Sequence, residues 1–134
     1  MKRIVVGYDG SEHARRALEE AANLAGDAAV TVISAVDVSG AGGHGNPGAD
    51  PEETTERSKE LSEARAFLEG KGIKVDTSES YGDPADSLID AARDSDADLI
   101  IVGTRDLNAV KEILLGSVST KVVHHAPCSV LVAR

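Results

Sequence analysis

The sequence is poor in cysteine, in aromatic residues and in positive charge, and each shortage excludes a class of protein. One cysteine among 134 residues excludes an internal disulfide and a multi-cysteine metal site, which is typical of a reducing compartment. Aromatic residues make up only 2%, so a core must be built from Val, Ile, Leu and Ala. The net charge of -9, with no basic stripe, argues against nucleic-acid binding, because phosphate contacts need Lys and Arg.

Long hydrophobic runs are also missing. No apolar stretch approaches membrane-spanning length, and the first residues lead into a strand too short for a signal peptide. We therefore expect a cytoplasmic protein that has no membrane association. The length and the hydrophobic content of 41% predict one domain over residues 1–134. Glycines crowd residues 38–50, which are predicted to form a mobile loop.

Apolar runs and helical patterns alternate along the chain. Strands are predicted at 3–8, 29–36, 73–80, 99–103 and 129–134. Helices are predicted from Ser11 to about residue 25, over about 51–71, from Asp83 onward, and over 110 to about 125. Ser11 and Asp83 are predicted N-caps. The third strand is weak and alternating, which favours a position near the sheet edge.

This alternation predicts an α/β fold. We expect a three-layer α/β/α sandwich around a five-stranded parallel, doubly wound sheet of order 3-2-1-4-5, which is a Rossmann-like architecture. In such sheets a ligand binds beyond the carboxyl ends of the strands, where the winding reverses. Strands one and four meet there in the predicted order. The turns after residues 8 and 103 should therefore lie together.

Residues 99–119 have the layout of a phosphate-binding turn. An apolar strand ends in Gly103, and a second glycine, Gly116, precedes Ser117 near the start of an amphipathic helical segment. A glycine lets a ligand approach the main chain closely, and the first turn of a helix has unpaired N–H donors. The stretch therefore predicts an anion site.

Three stretches together resemble the universal stress protein family of the adenine nucleotide alpha hydrolase-like superfamily. They are IVVGYDGSEHARRAL at the start, YGDPADSLIDAARDSDADLIIVGTRD in the middle and LLGSVSTKVVHHAPCSVLVAR at the end. Family members that bind ATP carry glycine, two residues, glycine, nine residues, then glycine with Ser or Thr. Gly103, Gly116 and Ser117 match this pattern, but Asp106 stands at the second glycine.

The resemblance implies a set of nucleotide-binding residues. Asp9 would contact ribose or nearby polar atoms, the backbone at Val36 would meet adenine, and a turn of glycines and hydroxyls would hold ribose and phosphates. The full expected set is Asp9, Ser11, Val36, Gly103, Arg105, Asp106, Gly116, Ser117, Val118 and Ser119. Two alternatives stay open: Asp9 as a turn-former that bonds its own backbone, and Ser117 as an ordinary helix-surface or cap residue.

Asp106 determines which function is expected. A carboxylate about 4 Å from a phosphate opposes binding by about 4 kcal/mol at an effective dielectric near 20. Its side chain could instead point into solvent, or share a Mg²⁺ ion with the phosphates. The favoured hypothesis is a stress-response protein that binds ATP, or AMP or ADP, with Mg²⁺ as a regulatory ligand. The alternatives are a nucleotide-free module that binds an unknown protein partner and, less favoured, a slow ATPase; no catalytic residue is identified.

The remaining candidates for chemistry have simpler interpretations. His124 and His125 are adjacent on a helix and point about 100° apart, which is a poor arrangement for metal ligands. Cys128 is predicted to be a buried packing residue. The strand at 129–134 is apolar and lies at a predicted sheet edge, and in the resembling family this strand joins two chains. We therefore expect a homodimer through 129–134.

Overall fold

The computed structural model describes residues 1–36, 51–104 and 117–134. Strands and helices alternate through these ranges. The elements are β1 (Arg3–Gly7), α1 (Glu12–Ala25), β2 (Ala29–Val36), α2 (Pro51–Glu69), β3 (Val75–Tyr81), α3 (Pro84–Asp94), β4 (Leu99–Gly103), α4 (Ser117–His125) and β5 (Ser129–Ala133). The glycine-rich segment and the predicted helix start at residue 110 lie outside the described ranges.

The five strands form one parallel sheet of order β3-β2-β1-β4-β5. This is the predicted order, and it places β1 and β4 side by side at the centre. Val5 pairs with Thr31 of β2 and with Ile100 of β4, so β1 is flanked on both sides. The weak strand β3 and the apolar strand β5 are at the two edges, as predicted.

Helices cover both faces of the sheet, which gives the Rossmann-like α/β fold. Alternate residues of β1 enter different cores: Ile4 and Val6 pack with residues of α1 and α2, whereas Val5 packs with residues of α3. These three side chains are fully buried. Strands that are buried on both faces have continuous apolar sequences, which is why the short IVV run was a strong strand signal.

Several predicted boundaries shift by one or two residues. β1 ends at Gly7, α2 ends at Glu69, β3 spans Val75–Tyr81 and β5 ends at Ala133. Such shifts are ordinary where the ends of helices and strands fray. Cys128 is half-buried against the second core rather than fully buried.

The N-cap predictions have different outcomes. The Ser11 hydroxyl accepts a hydrogen bond from the backbone N–H of Ala14 at 3.2 Å, so Ser11 caps α1 as expected. Asp83 occupies the N-cap position of α3, but its side chain makes no cap hydrogen bond. The Asp83 carboxylate pairs with Lys121 of α4 at 2.5 Å. Asp83 is therefore the N-cap residue by position, as predicted, and its carboxylate also binds a cation of another helix.

Candidate functional site

The turns after β1 and β4 lie at the same edge of the sheet. Ile4 is opposite Leu99 and Val6 is opposite Ile101, so the two strands run in register toward their carboxyl ends. On the other side of β1 lies β2, followed by β3, so the order of the strands reverses between β1 and β4. We call the space beyond the ends of β1 and β4 the central crevice. It is the position where doubly wound folds bind ligands.

Residues 9–11 form the β1 side of the central crevice. Asp9 Oδ1 accepts a hydrogen bond from the backbone N–H of Ser11 at 2.9 Å, and the Asp9 side chain is exposed. The turn-forming alternative for Asp9 is therefore present in the structure. Since this bond engages one carboxylate oxygen, Asp9 is held in place at the crevice by its own turn.

A second carboxylate lies close to this turn. Gly10 has φ of +80°, and a Cβ at Gly10 would come within 2.5 Å of Oε2 of Glu60 on α2. Glycine suits this left-handed backbone, and a side chain at this position would also require the Glu60 carboxylate to move. The Glu60 carboxylate therefore lies beside the Asp9 turn.

Gly103 ends β4 against the first turn of α1. A Cβ on Gly103 would lie 2.5 Å from the carbonyl oxygen of His13 and 2.7 Å from its carbonyl carbon. The sequence suggested that this glycine admits a ligand. The structure gives it a packing reason as well, because a side chain here would collide with the backbone of α1.

Ser119 joins α4 to the end of β4. Its side chain is only 2% exposed, and its hydroxyl donates to the Gly103 carbonyl at 3.0 Å. Val118 beside it is half-buried and packs on the second core. Ser117 is the first residue of α4. The helix that follows the predicted phosphate-binding turn is thus fixed to the strand that precedes it.

Two polar residues of the crevice were missed by sequence reasoning. His13 lies in the first turn of α1, and its Nδ1 is 3.3 Å from Oγ1 of Thr104, the residue after β4. Thr104 is buried, and its backbone N–H donates to the Ala133 carbonyl at 3.0 Å. In the sequence, the two residues could have been noticed only by position: His13 is two residues after the N-cap Ser11, and Thr104 directly follows an apolar strand.

The structure places the other predicted site residues less completely. Val36 is the last residue of β2 and is paired with Tyr81 of β3, so β1 separates it from β4. The predictions for Arg105, Asp106 and Gly116 fall outside the described residues. The described part therefore brings together the 9–11 turn, Gly103 and Ser119, with His13 and Thr104 between them.

Perturbed pKa values occur at Asp83, Asp98, Lys121 and Cys128, which lie away from the crevice. A hydrogen bond from Lys121 is the main reason that the pKa of Asp83 is lowered, and the same pairing raises the pKa of Lys121. The backbone N–H groups of Lys2 and Arg3 donate to Asp98 and lower its pKa. Burial raises the pKa of the Cys128 thiol. These shifts accompany structural pairs and burial rather than the crevice.

A concave region lies between β3 and α3, and we call it the acidic groove. Its volume is about 340 Å³, and its charged lining comprises Glu79, Asp83, Asp86, Asp90 and Asp94. Lys121 pairs with Asp83 and, at 3.0 Å, with Asp86, while Arg93 pairs with Asp90 at 3.4 Å. Within residues 1–36, 51–104 and 117–134, no group of three or more His, Cys, Asp or Glu side chains is arranged to hold a metal ion.

Comparison with known proteins identifies the family. A model of the universal stress protein family matches residues 1–134. The chain belongs to the universal stress protein family. A putative universal stress protein from Staphylococcus epidermidis is 37% identical over 142 residues, which cover 99% of this chain and 84% of that relative.

Solved universal stress proteins share the fold. The protein from Archaeoglobus fulgidus, in complex with dAMP, is 26% identical and has a TM-score of 0.79, with 100% of this chain and 98% of that chain covered. A universal stress protein in complex with cAMP is 26% identical with a TM-score of 0.76, and the match covers 99% and 96% of the two chains. Among the helices that the structure describes, none is both long and apolar enough to cross a membrane.

Proposed function

We propose that this protein binds an adenine nucleotide in the central crevice. ATP with Mg²⁺ is the proposed ligand, with AMP or ADP as alternatives, and the proposed role is regulatory binding in a cytoplasmic stress response. The observation that carries the proposal is the meeting of the 9–11 turn with Gly103 and Thr104 at the point where the winding reverses. The dAMP and cAMP complexes of related family members support the same ligand class.

The contacts around the crevice suggest how a nucleotide is held. Ser119 fixes the start of α4 to Gly103, so the helix N-terminus stays beside the end of β4. Backbone N–H groups at a helix start favour an anion, because they lack partners within the helix and carry a partial positive charge. The electronegative turn at Asp9 suits hydroxyl and amino groups, which donate hydrogen bonds. We therefore propose that ribose lies toward β1 and the phosphates toward β4 and α4.

The test is a binding measurement on the purified protein. Adding Mg-ATP, or AMP, at about 100 times its dissociation constant should stabilise the fold by about 2.7 kcal/mol, which appears as a higher melting temperature. Mg-GTP is the matched control for adenine recognition. Denaturing the protein as purified should also release adenine nucleotide. The proposal would be overturned if no nucleotide is released and if millimolar Mg-ATP or AMP causes no melting shift.

Asp106 favours a second candidate, a nucleotide-free module that binds a protein partner. Its carboxylate replaces a glycine of the ATP-binding pattern and adds negative charge to an already acidic protein. The variants Asp106→Gly and Asp106→Asn distinguish the two candidates, because the asparagine removes the charge but keeps the side-chain size. A melting shift with Mg-ATP that appears only in these variants would support the nucleotide-free module. An equal shift in the wild type would exclude it.

We also propose that the protein forms a homodimer through β5. This strand is at the sheet edge, and its central residues Val130, Leu131 and Val132 are only partly buried. An apolar edge strand is a template for pairing with another chain. Light scattering at micromolar concentration should give the mass of two chains. A single-chain mass would contradict the proposed dimer without affecting nucleotide binding.

A further inference from the structure

The His13 ring is held against the end of β4. Its backbone packs against Gly103, and its Nδ1 is paired with the hydroxyl of buried Thr104. Thr104 is in turn fixed to β5 through its backbone N–H. Because both anchors belong to the end of β4, the imidazole has a defined position beside the central crevice.

The other ring nitrogen, Nε2, is the one that a ligand can engage. In the part of the chain that the structure describes, the bond between the His13 ring and Thr104 uses Nδ1 and not Nε2. His13 as a whole is half-buried rather than enclosed in the core.

The charge at the crevice indicates which kind of ligand group this nitrogen would contact. The Asp9 carboxylate is exposed on the β1 side. A like charge is repelled by this carboxylate, so an anionic ligand group is better placed toward β4. A ring N–H there supplies a donor, and hydrogen bonds to charged groups are among the stronger ones in proteins.

We propose that His13 binds a phosphate group of the adenine nucleotide through Nε2–H. We propose Thr104 as the positioning residue: its hydroxyl donates to Nδ1 and so leaves the ring N–H at Nε2. This role rests on the proposed nucleotide binding and adds a ligand contact from α1. It requires no covalent step.

The variants His13→Gln and His13→Asn separate the two ring nitrogens. Glutamine places its amide near the position of Nε2, whereas asparagine places it near Nδ1. If Nε2 contacts phosphate, His13→Gln should keep the affinity for Mg-ATP and for AMP within about threefold. His13→Asn should lose about tenfold or more, as expected for a hydrogen bond to a charged group. Isothermal titration calorimetry gives both values, and melting curves of the free variants report any loss of folding.

The opposite ranking would overturn the proposal. If His13→Asn retains affinity and His13→Gln loses it, the ring serves only to hold Thr104. Equal affinity of both variants and the wild type also excludes the contact. If the wild type binds neither Mg-ATP nor AMP, nucleotide binding itself is overturned, which is a distinct result from an unaffected variant.

A spectroscopic test follows the nitrogens directly. In ¹⁵N-histidine-labelled protein, the Nε2 resonance of His13 should move when Mg-ATP or AMP is added, and it should report a protonated Nε2 before addition. Thr104→Val keeps the side-chain shape but removes the hydroxyl, so the two tautomers should then mix. A stationary Nε2 resonance in protein that binds nucleotide would overturn the role of His13. An unchanged tautomer in Thr104→Val would overturn that of Thr104.

Discussion

The central crevice and the acidic groove both carry polar groups, but these groups are arranged differently. In the crevice, Ser119 and Thr104 are buried. Ser119 bonds the Gly103 carbonyl and so joins α4 to the end of β4, and Thr104 pairs with the His13 ring and so joins α1 to it. In the groove, exposed carboxylates of α3 pair with cations of the same chain, as in the pairs of Lys121. The proposed site is therefore distinguished by buried hydrogen bonds that join two helices to the end of a strand, and not by the number of charges or the volume of the cavity.

The acidic groove also shows what a pKa shift can mean. The lowered pKa of Asp83 and the raised pKa of Lys121 arise chiefly from the hydrogen bond between these two residues. Perturbed groups are often used to locate functional sites, but structural ion pairs perturb pKa values as well. Here the shifted pair belongs to the contact between α3 and α4.

The largest effect is expected from Gly103→Ala in the crevice. The new methyl group would lie 2.5 Å from the His13 carbonyl oxygen, and a backbone atom cannot rotate away. Overpacking of this kind costs about 1–3 kcal/mol, and the free energy of unfolding from denaturant titration measures it. Gly7→Ala at the end of β1 is the matched control. Its Cβ would meet only the side chain of Leu88, at 3.0 Å, and should cost less. Equal losses would contradict the packing role of Gly103.

Ser119→Ala should have an intermediate effect. The variant removes the hydroxyl that donates to the Gly103 carbonyl, in a position that is only 2% exposed. Loss of such a bond costs about 1–2 kcal/mol in the free energy of unfolding. Thr120→Ala, at the exposed neighbouring position of the same helix, is the control and should change stability by less than about 0.5 kcal/mol. If the two variants are indistinguishable, the link between α4 and β4 contributes nothing.

The smallest effect is expected in the groove from Lys121→Met. Exposed ion pairs contribute little, because water and salt screen them. The pKa of Asp83 is lowered in the folded protein, so its pairing stabilises the fold above the usual carboxyl pKa and is lost as the pH falls through the lowered value. The difference in melting temperature between variant and wild type should therefore be small at neutral pH and vanish in acid. A difference that grows in acid would contradict this account.

The sequence predicted the fold because its signals are local. Short apolar runs, the Ser11 cap and the glycine and proline boundaries specify each element, and the alternation of elements specifies a parallel, doubly wound sheet. The order 3-2-1-4-5 follows only if strands one and four are central neighbours, which the strand pairing confirms. The sequence also predicted that the turn at Asp9 and the end of β4 at Gly103 would meet at one edge, which the register of β1 and β4 confirms.

The remaining features of the site depend on contacts between distant residues. His13 and Thr104 are 91 positions apart, and Ser119 and Gly103 are 16 apart. No local pattern indicates that one hydroxyl will bond a ring nitrogen and another will bond a carbonyl. The pairing of Asp83 with Lys121 was missed for the same reason, because the two residues are 38 positions apart. The binding roles inferred from the family resemblance stay predictions.

The most direct test of the central claim is amide chemical-shift mapping of the full chain during titration with Mg-ATP. If the nucleotide binds in the central crevice, large amide shift changes should fall at residues 9–13 and 103–104. Residues of α3 in the acidic groove should change little. Shifts concentrated at residues 83–94, or no saturable shifts at all, would contradict this claim.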